Sequence, residues 1–100
     1  MIEDKKQFEK EIVQLFQNEL MISENNFKAR NIKLKSFELE IIKKNNEDYT
    51  SEVRSYFLKN DDIIGIIECF IFYDGHPEAT KTEFRKWFIE EIDHILKEGD

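Results

Sequence analysis

Three carboxylates stand where apolar residues would be expected, and they are the first candidates for chemistry in this sequence. At about 100° per residue, a helix projects Glu19 between Phe8 and Ile12, and Glu91 between Phe84 and Trp87. Glu68 has Ile66 and Phe70 two residues to either side, its neighbours on one face of a strand. Desolvation raises carboxyl pKa values toward those useful in general acid–base work, so a small enzyme could use Glu68 or Glu19. Three acids could also gather a hard cation. The structural alternative is that each lies at the border of its stripe and is held by a Lys, an Arg or a backbone N–H. That alternative, or a role in partner binding, is the stronger one, because nothing nearby completes a catalytic or calcium-type set.

The remaining candidates do not change this. His76 and His94 lack a second His or Cys three or four residues away, and one cysteine cannot complete a zinc set. Glu90 and Glu91 have helical spacing to His94, but such pairs arise by chance in a chain this rich in Glu. Cys69, between Glu68 and Phe70, has nothing beside it that lowers a thiol pKa. Gly65 and Gly75 stand alone, so no glycine-rich loop cradles phosphate. No catalytic residue, metal or cofactor is assigned, and the chain is read as a non-enzyme.

The elements that position these residues follow from periodicity. Asp4 and Gln7 have the spacing of a capping box, and Phe8, Ile12, Leu15, Phe16, Leu20 and Ile22 recur at helical spacing, so residues 4–24 are predicted as an amphipathic helix ended by "SENN". Residues 31–44 alternate as a strand, with a change of phase at Ser36. One extra residue near Lys35–Ser36 would bring Ile32, Leu34, Phe37, Leu39 and Ile41 to one face, as a β-bulge does. Residues 49–59 form a second strand after "KNNED", and "NDD" turns the chain into a third, "DDIIGIIECFIFYDG". Thr80 and Glu83 suggest another capping box, opening a helix that runs to about Lys97. The predicted fold is α+β, a two-layer α-β-β-β-α domain over residues 1–100, with a three-stranded antiparallel meander and both helices on one face.

Composition narrows the function. The net charge is −7, and only three of the fifteen basic residues are Arg, which argues against nucleic acid or an anionic membrane as partner. Lys28, Arg30, Lys33 and Lys35 do gather, but Glu38 and Glu40 follow at once, so they are read as a solvated edge. Nine Phe, three Tyr and one Trp supply ample core area. A single cysteine fits a reducing compartment, and neither a signal segment nor an apolar run of transmembrane length is present, so a cytoplasmic location is expected.

Topology carries the most information. In a meander the second strand is central, yet it holds Thr50, Ser51, Glu52, Arg54 and Ser55, while the third is apolar on both faces. Ile63, Ile67, Cys69, Ile71 and Tyr73 alternate with Ile64, Ile66, Glu68, Phe70 and Phe72. Long apolar edges are ordinarily protected by Lys, Pro or bulges, and this strand reads as having none of the three. Either the strand order places the third strand centrally, which short turns make less natural, or another chain, a basic protein or a second copy, covers this strand; the second is expected. The predicted partner face consists of Glu38, Glu40, Glu52, Tyr56, Glu68, Phe70 and Phe72, with aromatics as anchors and acids steering the encounter.

The layout of "YFLKNDDIIGIIECFIFYDG" leading into "EFRKWFIEEIDHIL" in a small acidic chain resembles that of bacterial toxin-immunity proteins. The resemblance implies an inhibitor that neutralises a basic nuclease or other toxin domain by direct binding. It rests on layout and charge, so it assigns no site residue. A homodimeric accessory subunit is the alternative function, and a small enzyme using a buried Glu the second.

Overall fold

The order of elements in the computed structural model is α1 (Ile2–Ile22), α2 (Glu24–Ala29), β1 (Ile32–Lys44), β2 (Asp48–Lys59), β3 (Asp62–Ile71) and α3 (Pro77–Glu98). The structure describes the backbone of residues 2–44, 48–71 and 75–100, and the side chains of residues 4–35, 52–71 and 75–100. The strands form one antiparallel sheet in the order β1-β2-β3, which is the expected α+β meander.

Position along β2 decides which side of the sheet is covered. Val53, Ser55 and Phe57 are fully buried and alternate with Arg54, Tyr56 and Leu58, which are partly exposed. The buried side packs against Phe8, Ile12 and Phe16 of α1 and Phe88, Ile92 and Ile95 of α3, so both long helices lie on one face. Phe16 meets Phe88 edge-on, with centroids 4.3 Å apart. On this side Gly65 is a steric requirement. A Cβ there would lie 2.7 Å from Ile95 Cγ1, so α3 approaches β3 only because the side chain is absent.

Two bulges set the register. On β1, Leu34 pairs with Phe57 and Ser36 with Tyr56, leaving Lys35 as the extra residue. This returns positions 32, 34, 37, 39 and 41 to one face, as the phase change predicts. The second bulge was not anticipated. Gly65 pairs with Phe57 but Ile63 with Leu58, so Ile64 is extra on β3. One inserted residue exchanges the faces before it. Ile64 therefore packs on the core and Ile63 lies on the open side, the reverse of strict alternation.

The helix ends also differ from expectation. The helix predicted over residues 4–24 begins at Ile2 and stops at Ile22; of "SENN" only Ser23 separates it from the short α2, which the rest opens and whose Phe27 stacks on Phe57 at 5.3 Å. Asn31, at φ 57°, closes α2 in the left-handed conformation that Asn tolerates. Thr80 does not cap α3. The helix starts three residues earlier at Pro77, whose fixed φ and missing N–H suit a first turn, and Thr80 is buried inside it. The β2–β3 connection is a two-residue hairpin in which Asn60 and Asp61 both have positive φ, the type I′ geometry. The end of α3 is tied back to the sheet: Lys59 Nζ donates to the Gly99 carbonyl, and Arg30 Nε lies 2.6 Å from Asp100 Oδ1.

Candidate protein-binding face

The face opposite the helices is built from all three strands, with register supplying its rows. Arg54 stands opposite Glu68 on one side and Glu38 on the other. Glu52 stands opposite Phe70 and Glu40, and Tyr56 opposite Ile66. Six of the seven predicted partner-binding positions, Glu38, Glu40, Glu52, Tyr56, Glu68 and Phe70, thus share one side of the sheet. Phe72 lies outside the described residues, as do the side chains of Glu38 and Glu40.

Arg54 organises the centre of this face. Its Nη2 donates to Glu52 Oε1 at 2.8 Å, and its Nε lies 3.2 Å from Glu68 Oε2, an ion pair whose geometry falls short of a hydrogen bond. The hydrogen bond to Glu52, with a further one to Tyr56, holds the guanidinium even more firmly protonated than usual. Glu52 is only 3% exposed, so it buttresses Arg54 instead of presenting a carboxylate. Glu68 is exposed. Ile66 and Phe70 flank it and Ile63 lies further along the same side, exposed by 48, 54 and 53%. Three large apolar side chains half in water beside a fixed ion pair form a patch of the kind that protein interfaces cover.

Of the acids singled out for chemistry, Glu19 and Glu68 are held by an arginine, as the structural alternative requires. Arg85 Nε of α3 donates to the buried Glu19 at 3.0 Å. Glu91 is half-buried on α3, and Glu68 belongs to the Arg54 cluster. Lys81 joins α3 to α1 through Glu11 at 3.3 Å and also meets Glu78 at 3.0 Å. Its ammonium is held above its ordinary pKa, chiefly by the hydrogen bond to Glu78. Cys69 is half-buried, and burial pushes its thiol up to about 12, the opposite of nucleophile activation. Among the described residues no group of three or more His, Cys, Asp or Glu could hold a metal ion. No helix among them is long and apolar enough to cross a membrane.

Of the clefts that border the sheet, two lie between a strand and a helix. The larger, about 690 Å³, runs between the end of α1, α2 and the start of β1, with Leu20, Met21, Phe27 and Leu34 in its walls. Of the basic residues expected to share a strand edge, only Lys33 and Lys35 lie on β1. Lys28 is on α2, paired with Glu24 at 3.1 Å, and Arg30 follows it, paired with Asp100. The smaller cleft, about 390 Å³, lies between β3 and α3 and is lined by Cys69, Phe70, Thr80, Glu83, Phe84 and Trp87.

Sequence reasoning missed Ile63, the central role of Arg54 and the Phe84–Trp87 flank. Gly65 was the available signal for the first, since glycine inside a strand often marks a bulge. No family model matches the chain, and no curated protein or solved structure is significantly similar to it.

Proposed function

We propose that the chain is a non-enzymatic, acidic protein-binding module that inhibits a basic target, in the manner of a toxin-immunity protein, through the helix-free face of its sheet. The observation that carries this reading is the exposure of Ile66 and Phe70 beside the Arg54–Glu68 pair, extended along the same side by Ile63. The apolar residues supply contact area, and the net charge of −7 favours encounter with a positive surface. A cytoplasmic location and independence of cofactors belong to the same reading. The test is affinity capture from native host extract, with wild-type protein beside an Ile66→Asp/Phe70→Asp variant shown by circular dichroism to be folded. The reading expects a basic protein retained by the wild type, lost by the variant and bound more slowly as salt rises. Equal capture by both proteins, or association indifferent to salt, overturns it.

Self-association is a second reading, favoured by one feature: β3 has no Lys or Pro between Asp62 and Ile71, leaving its edge chemically unguarded. Light scattering separates the two readings, since a salt-insensitive dimer supports the second and a monomer removes it.

A further inference from the structure

We infer that the outer edge of β3 and the adjoining flank of α3 form a strand-addition groove for an extended, basic and apolar segment of the partner. This inference rests on the protein-binding reading and specifies how the partner is held. Four features lead to it.

The first is the unpaired edge. In the order β1-β2-β3 no described strand pairs with the outer side of β3, so a row of backbone N–H and C=O groups there is free to continue the ladder. Second, the cleft beside it sits at the rim. Cys69, opposite Val53, faces the helix side, whereas Phe70, opposite Glu52, faces the open side. A hollow lined by both must open at the strand's edge.

Third, α3 runs alongside. Gly65 meets Ile95 near one end of the pair, and Cys69 shares the cleft with Thr80, Phe84 and Trp87 near the other, so α3 is antiparallel to β3. The spacings agree: residues 65 to 69 span about 13 Å of strand, and Phe84 to Ile95 about 16 Å of helix. Helix and strand are in direct contact at Gly65 and diverge toward Cys69 and Phe70, where the hollow opens.

Charge is the fourth. Glu83 lines the cleft, Glu91 is one turn along from Trp87 on the same stripe, and Glu68 stands on the strand side. Of the four Lys and Arg residues of α3, Lys81 and Arg85 turn the other way, onto Glu11 and Glu19 of α1. The groove is thus apolar within and acidic at its rim.

An added strand presents its side chains alternately to the two sides. One set enters the cleft against Cys69, Phe84 and Trp87 and must be apolar. The other lies by Ile66, Glu68 and Phe70 and gains from Lys or Arg. A second copy fits less well, because each chain brings a net charge of −7 and further carboxylates to the same rim.

The experiment uses blocked heptapeptides of sequence Lys-Val-Lys-Ile-Lys-Val-Lys, an analogue with alternate backbone nitrogens methylated, and an analogue with Glu for Lys, titrated into the full chain and followed by amide NMR and hydrogen exchange. The Lys peptide is expected to bind saturably, slowing exchange along residues 62–71 and shifting residues 80–87. N-methylation should weaken it by about tenfold or more, the equivalent of one or two lost hydrogen bonds. The Glu analogue should not bind, and Glu83→Lys should weaken the Lys peptide while leaving the fold intact. Equal binding of the N-methylated peptide, with shifts confined to Ile66 and Phe70, overturns the edge mode while sparing the open-face reading. Absence of saturable binding also overturns the edge mode, whatever the capture experiment shows. So does a concentration-dependent dimer with β3 amides already protected, which assigns the edge to a second copy.

Discussion

β1 and β3 flank the same central strand, yet their outer edges differ in the features that keep sheets apart. β1 carries Lys33, Lys35, Lys43 and Lys44, is bulged at Lys35, and has α2 packed near its start. β3 has neither Lys nor Pro along its length, and its bulge lies near its beginning at Ile64. Beyond that bulge Gly65 to Ile71 pairs regularly with β2 while keeping Ile66 and Phe70 half in water. Guarding one edge with charge and leaving the other apolar points to a use for the second edge. The same strand also differs between its faces: Ile67 and Ile71 build the core, and Ile66 and Phe70 do not.

The largest effect should come from breaking the inner side. Ile67→Ala is expected to cost about 2–5 kcal/mol, whereas Ile66→Ala, one residue away, should change stability by no more than about 0.5 kcal/mol. Urea denaturation of the pair measures the difference, and similar losses would mean that the open face is covered within the chain. Gly65→Val should be next, at about 1–3 kcal/mol, because its branches must enter space occupied by Ile95. The companion change Ile95→Ala should recover part of that loss.

At the centre of β2, Ser55 is fully buried and its hydroxyl has no hydrogen-bond partner among the described residues. Ser55→Ala is therefore expected to leave stability unchanged or raise it by about 1 kcal/mol, by removing an unsatisfied polar group. Thermal unfolding of that variant checks it. A last effect is absent at neutral pH and appears only in alkali. Burial raises the Cys69 thiol to about 12 in the folded chain, against about 8.5 when unfolded. The folded state thus holds its proton longer, so this contribution is fully present below about pH 8.5 and is lost as pH rises toward 12. Comparing wild type with Cys69→Ala across that interval should show a steeper decline in the wild type.

Much of this fold was legible because alternation and helical spacing report burial directly. The meander, the Lys35 bulge and the two long helices follow from where apolar residues recur. The bulge at Ile64 left only Gly65 as a mark, because Ile63 and Ile64 are chemically identical and alternation does not record which one points inward. The start of α3 was missed for a different reason: Thr80 and Glu83 mimic a cap, but Pro77 already supplies an acceptable first turn. At the candidate site, alternation identified the face, but not that Glu52 is buried under Arg54. That depends on which carboxylate a single guanidinium selects, and the sequence offers it Glu38, Glu40, Glu52 and Glu68 alike.

The most direct test of the difference between the edges is hydrogen exchange of the full chain, alone and in complex with its captured basic target. The account predicts slowed exchange along residues 62–71, with residues 80–87 affected and residues 32–35 unchanged. Protection at residues 32–35 or along α1, with β3 exchanging as in the free protein, would contradict it.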